Sequence, residues 1–304
     1  AELCLAENYP QTARSILRFA VTQMPTKKSL WIDFAMLEKN HGTRESLDSL
    51  LSEAVNHCPK AEVLWLMAAK EKWLADDVDA ARSILKTAFT HNPLSEKICL
   101  AAVKLEQKNN QPLRARAILA KARINVGTQK VWIKSIKLER QLNNVGSERQ
   151  IIQNALQIFP KNEKLWLLSA QLEASVTSDE TARRIYRQAL ELCPHSISLW
   201  LHGSRLEEKI SAATARSFLD RSRLKNPKTP RLWIEAIRVE QRAASSASSS
   251  SSSSSAVSSA LSAAQSLLAK ALQDCPDSGM LWAEAIRMEP HQKQRSKVMV
   301  ALQH

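Results

Sequence analysis

Apolar positions recur along the chain with the period of a helix. In Leu30–Lys39 the residues Leu30, Trp31, Phe34, Ala35 and Leu37 fall at i, i+1, i+4, i+5 and i+7, one stripe of an amphipathic helix. In Ala80–Ala88 the stripe is Ala81, Ile84, Leu85 and Ala88. Stripes of these two kinds alternate, and a proline follows the second kind, where a residue without an N–H and with fixed φ ends a helix. The pattern predicts antiparallel helix pairs, A then B, joined by short turns.

The pairs repeat. Setting Trp73 aside, the tryptophans are Trp31, Trp65, Trp132, Trp166, Trp200, Trp233 and Trp282, with gaps of 34, 67, 34, 34, 33 and 49. The 67 is two periods with Cys99 in the vacant slot, and the 49 is one period plus the length of a serine-rich stretch. Six residues before the slot stand Pro25, Pro59, Pro93, Pro160, Pro194, Pro227 and Pro276; only the Trp132 repeat lacks the proline. Five before those prolines come Ala20, Ala54, Ala88, Ala155, Ala189 and Ala271. Alanines let a neighbouring helix approach closely, and the indole covers the seam, so these residues read as repeat packing. One hairpin cannot bury both faces alone, and hairpins must therefore stack. The expected fold is all-α, a right-handed solenoid of antiparallel helix pairs over 1–304, cut within a repeat at both ends.

Seven residues after the slot comes Glu38, Glu106, Glu139, Glu173, Glu207, Glu240 or Glu289, while the Trp65 repeat has Lys72 there. An arginine stands ten residues after three of these glutamates, which predicts ion pairs between helices A and B of one repeat: Glu106 with Arg116, Glu139 with Arg149, Glu173 with Arg183. A catalytic acid would not be copied into every repeat.

Composition narrows function by exclusion. Five glycines among 304 residues argue against phosphate-binding loops, and five cysteines without a CxxC pair argue against a zinc ribbon or a disulfide framework. Cys58, Cys193 and Cys275 each precede the repeat proline and read as small buried side chains a repeat or more apart. The histidines show no metal spacing, and His195 beside Cys193 lies in a turn. No cofactor, metal site or small-molecule substrate is expected. No apolar run approaches the roughly 18–20 residues of a membrane span.

The net charge of +13 is concentrated. Residues 100–159 carry 11 basic and 3 acidic side chains, and 210–304 carry 13 and 7. Such patches favour RNA phosphates or acidic protein segments. Lys104, Lys134, Lys137 and Arg140, on A helices of the first basic segment, are contact candidates, with Arg223, Lys225 and Lys228 in the second basic segment. The serine-rich segment 244–259 contains the octet Ser248–Ser255 and is expected to enlarge the loop between an A helix ending near Arg242 and a B helix resuming near Leu261, as a disordered stretch, with helix extension through the alanines or a phosphorylation platform as the other readings.

A tryptophan-to-glutamate first helix with an Ala…Pro second helix resembles the half-a-TPR (HAT) repeat of RNA-processing proteins. The strings EKNHGTRESL at Glu38–Leu47, HCPKAEVLWLM at His57–Met67, AARSIL at Ala80–Leu85, SRLEEKI at Ser204–Ile210, SRLKNPK at Ser222–Lys228 and LLAKALQDCPDSG at Leu267–Gly279 are similar to the C-terminal repeats of the pre-mRNA-processing factor six family. That resemblance implies a nuclear, non-enzymatic scaffold that bridges U5 and U4/U6 components of the spliceosomal tri-snRNP, with snRNP proteins as partners and phosphate-backbone contact to snRNA. Two alternatives stay open: a HAT scaffold of 3′-end processing or ribosome biogenesis, and a TPR-like module gripping a peptide.

Overall fold

The computed structural model describes residues 9–249, 254–289 and 291–301. The described residues form seventeen α-helices and no strand. The first half, residues 1–151, and the second, 152–304, are separate compact bodies. The first holds α1 (Pro10–Gln23), α2 (Lys28–His41), α3 (Arg44–His57), α4 (Glu62–Leu74), α5 (Val78–His91), α6 (Glu96–Lys108), α7 (Pro112–Asn125) and α8 (Gln129–Gln141). Helix α9 (Val145–Ile158) spans the division. The second holds α10 (Glu163–Val176), α11 (Asp179–Leu192), α12 (Ile197–Glu208), α13 (Ala212–Lys225), α14 (Pro230–Ser249), α15 (Ser254–Asp274), α16 (Gly279–Met288) and α17 (His291–Ala301). Even-numbered helices from α2 to α16 are A helices, and odd-numbered ones from α1 to α15 are B helices.

Local chemistry sets the helix boundaries. Thr43 and Ser46 form a reciprocal capping box at the start of α3, and Asp77, Ser95, Ser178 and Ser196 each accept a backbone N–H from the first turn of their helix. Proline opens α1 and α7, where its missing N–H costs nothing. Asp76, Asn110 and Asn143 each stand eleven residues after the slot and adopt positive φ, closing the A–B turn; these two residue types tolerate the left-handed region best after glycine.

Within each half, small residues sit where helices cross. Ala54 and Ala88 in the first half, and Ala155 and Ala189 in the second, are wholly buried. Trp31, Trp65, Trp132, Trp200 and Trp233 are buried, Trp166 and Trp282 half-buried, and Cys99 is buried in its slot. The repeat proline has a polar task besides stopping helix B. Its carbonyl accepts the indole N–H six residues on: Trp31 to Pro25 at 2.7 Å, Trp65 to Pro59 at 2.8 Å, Trp166 to Pro160 at 2.7 Å, Trp200 to Pro194 at 2.8 Å and Trp282 to Pro276 at 2.7 Å. In the Trp132 repeat Val126 replaces the proline, and among the described residues the buried Trp132 indole N–H has no partner.

The same carbonyls carry a second bond, from the end of the next B helix. Asn92 donates to Pro59 at 2.9 Å, Asn226 to Pro194 at 3.1 Å, and the Cys58 thiol to Pro25 at 3.4 Å. Cys193 donates to the Lys161 carbonyl at 3.3 Å. Burial pushes the thiols of Cys58, Cys99, Cys193 and Cys275 up, which keeps them protonated. His195 meets Asn226 at 3.3 Å and so belongs to the same turn network.

On both sides of the serine octet the helices extend into the serine-rich segment, in line with helix extension and not with a loop opening at Arg242. Helix α14 continues past Arg242 to Ser249, and α15 begins at Ser254, well before Leu261. Alanine and serine spacing supports helix as readily as loop once the two helices pack side by side, and a helix satisfies the backbone groups that an open loop leaves to water. Of the segment 244–259, residues 250–253 lie outside the described residues.

Candidate partner-binding groove

The repeated glutamate and arginine face different neighbours from those the sequence spacing suggested. Arg14 binds Glu38, Arg82 binds Glu106 at 2.8 and 2.9 Å, and Arg116 binds Glu139 at 2.7 Å through both oxygens. In the second half, Arg183 binds Glu207 and Arg216 binds Glu240. Each pair therefore joins a B helix to the A helix of the following repeat. Glu106 takes Arg82, not Arg116; Glu139 takes Arg116, not Arg149; Arg183 reaches forward to Glu207, not back to Glu173. Glu173 accepts the Thr177 hydroxyl at 2.6 Å. In antiparallel hairpins both candidate partners lie about equally far from a turn, so the direction in which each side chain leaves its helix decides.

The departure at Lys72 obeys the same rule. The arginine slot of the preceding B helix holds Asp48, and Lys72 binds it at 2.7 Å. The pair is kept with its charges exchanged. The glutamates paired with arginine are largely buried, and two-point Arg–carboxylate geometry is the strong form of the contact. Burial alone would raise the Glu38 carboxyl, but hydrogen bonds from Arg14 and Ser46 outweigh it and hold the group below the usual range. The guanidiniums of Arg82 and Arg183 are pushed further up by their glutamates.

With these charges consumed by packing, the lysines that remain are conspicuous. A helices α6 and α8 are tied together by Lys130–Glu96 at 3.0 Å and Gln107–Gln141 at 3.2 Å. Between them lies a groove of about 580 Å³ lined by Leu100, Lys104, Gln107, Lys108, Lys134 and Gln141. Positions 100, 104 and 107/108 share one face of α6, and 134 and 141 share one face of α8. No carboxylate lines the groove, and among the described residues Lys104, Lys108 and Lys134 have no ion-pair partner. Lysines at i and i+4 repel by a few tenths of a kcal/mol, which an anion seated between the helices relieves.

Other candidates are placed differently. Lys137 is exposed but does not line this groove, and Arg140 is bound to Glu148 at 2.8 Å. Arg223 is not a surface contact: its guanidinium lies 4.2 Å from the centre of the Trp233 ring and pairs with Asp220. Lys225 belongs to a different groove, and Lys228 is an exposed turn residue with φ of 57°. Lys108, a member of the same basic segment four residues from Lys104, joins the contact candidates.

Comparison with known families places residues 116–224 in a match to the PRP39 N-terminal HAT repeat. The fold is a series of antiparallel helix pairs of HAT/TPR-like form. The chain matches no curated protein. Similar solved structures include the Naa15/Naa10 complex bound to HypK-THB, at 13% identity and a TM-score of 0.49 over 99% of this chain and 44% of that one. The APC/C hetero-tetramer Cut9–Hcn1 aligns at 13% identity and 0.39, over 92% of this chain and 53% of the other. A tetratricopeptide repeat protein from Parabacteroides merdae ATCC 43184 aligns at 12% identity and 0.38, over 78% of this chain and 94% of that one. The chain thus spans about half the length of the first two. Among the described residues, no His/Cys/Asp/Glu group could hold a metal, and no helix is long and apolar enough to cross a membrane.

Proposed function

We propose that this chain is a non-enzymatic scaffold of nuclear pre-mRNA splicing, bridging U5 and U4/U6 snRNP components of the tri-snRNP. Its helix pairs provide a preformed surface on which many modest contacts add up. Three features support the reading: the HAT match over 116–224, the six strings similar to the pre-mRNA-processing factor six family, and a lysine groove suited to a phosphate backbone.

The groove is the observation that carries it. Lys104, Lys108 and Lys134 converge in one place without carboxylates, as a non-sequence-specific phosphate contact requires. Tagged protein recovered from nuclear extract is expected to carry U4, U5 and U6 RNAs, and K104E/K134E is expected to reduce that recovery while helix content stays unchanged. Recovery of pre-ribosomal RNA or of 3′-end-processing factors in place of these RNAs overturns the splicing assignment. Undiminished recovery with the charge-reversed variant overturns the role of the groove.

A further inference from the structure

A second groove lies on the B-helix side of the second half, and it is independent of the splicing reading. Helices α11 and α13 stand apart over α12 and leave a cleft of about 660 Å³, within the roughly 300–1,000 Å³ of ligand clefts. Its floor is the Trp200 and Phe218 pair, with ring centres 4.9 Å apart. Its walls carry Arg183, Arg187, Arg221 and Lys225 against Glu191 and Glu207.

The first half contains the same groove with different charges. There α1 and α3 flank α2, and Arg14, Arg18, Trp31, Glu38, Leu50 and Glu53 occupy the places of Arg183, Arg187, Trp200, Glu207, Phe218 and Arg221. In the first groove Arg18 on one wall faces a wall bearing Glu53; in the second, Arg187 faces a wall bearing Arg221. Arg183 is neutralised by Glu207 and Glu180, whereas Arg187, Arg221 and Lys225 are exposed and, among the described residues, have no ion-pair partner. The stack itself does not need this arrangement, because the first groove closes with balanced charge. Cations on both walls of a cleft with a low-dielectric floor concentrate the field on whatever lies between them.

We infer that the α11–α13 groove is a docking site for an Asp/Glu-rich extended segment of a partner protein. Two of the three free cations are guanidiniums, whose planar fork grips one carboxylate at two points. A nucleic acid fits less well. The aromatic floor is covered, with Trp200 at 4% and Phe218 at 8% exposure, so no base can stack on it. Glu191 on the wall repels a continuous phosphate backbone, while separate carboxylates on a peptide can be spaced around it.

The test measures fluorescence anisotropy of a labelled, short poly-glutamate peptide titrated with the whole chain at low salt. R187E/R221E is expected to weaken binding by about tenfold or more and to gain affinity for a poly-lysine peptide of equal length. R231E/K270E, which removes the same charge from exposed positions in the same half outside the groove, is expected to bind the glutamate peptide as the parent does. Equal weakening by both variants would show general attraction to a basic protein and overturn the site. So would tighter, groove-dependent binding of oligouridine. Circular dichroism confirms that each variant keeps its helix content, and R187Q/R221Q, which only neutralises the walls, gives a second reading of the same loss.

Discussion

The guanidinium of Arg183 lies across both oxygens of Glu207, Nε to Oε1 at 2.8 Å and Nη2 to Oε2 at 2.8 Å, and so bolts α11 to the A helix of the next repeat. The Glu207 side chain is 8% exposed and that of Arg183 is 18%. Removing the carboxylate leaves Arg183 only the exposed Glu180 as partner, and removing the cation strands a buried anion. Glu207→Ala and Arg183→Ala are each expected to destabilise the second half by about 2–3 kcal/mol. The double variant should cost clearly less than the sum, because each single change already breaks the contact. Hydrogen exchange across 179–208, with urea titration of all three variants, measures this.

Acid should loosen the stack through the same kind of pair. The Glu38 carboxyl is held below its usual range, so the folded state binds its proton less readily than the unfolded chain does. Its contribution is fully present above the unfolded value of about 4.3 and is lost as pH falls through the lower folded value. Thermal melts between pH 6 and roughly 3 should show a steepening loss of stability at the acid end. Glu38→Gln should flatten that limb while lowering stability at neutral pH.

Two tryptophans that occupy the same slot should respond unequally to the same change. Trp65 donates to the Pro59 carbonyl, whereas the Trp132 indole N–H is buried without a partner among the described residues. Substitution by phenylalanine removes a hydrogen bond in the first case and an unsatisfied donor in the second. Trp132→Phe is therefore expected to cost about 1 kcal/mol less than Trp65→Phe, read from chemical denaturation of the two variants side by side.

Gly203 is held small by Phe218. A Cβ at residue 203 would meet the ring at 2.7 and 2.9 Å, closer than carbon atoms can pack. Gly203→Ala is expected to destabilise by about 1–3 kcal/mol. Combining it with Phe218→Leu should recover part of the loss, since Leu50 fills the equivalent place in the first half. Melting temperatures of the three variants are the measurement.

The proposed ligand site was partly legible. The net excess of cations in 100–159 located the lysine groove to within a repeat, but the sequence could not separate Lys104 and Lys134 from Arg140, which is bound to Glu148. Arg223 misled for a related reason: a guanidinium in a basic run looks solvated until the packing lays it on Trp233. The α11–α13 groove emerged only once Arg187 and Arg221 were seen on opposing walls, thirty-four residues apart in sequence.

By itself the sequence determined the helices, their pairing and the places of the alanines, prolines and tryptophans, because period, capping and helix-stopping chemistry act over a few residues and repeat in each copy. Only the tertiary structure decided which arginine meets which glutamate, why Lys72 stands where a glutamate is otherwise found, and whether the serines lengthen a loop or two helices. Those outcomes depend on which neighbour a side chain faces once hairpins stack. Distance along the chain from a turn is nearly the same for the right partner and the wrong one.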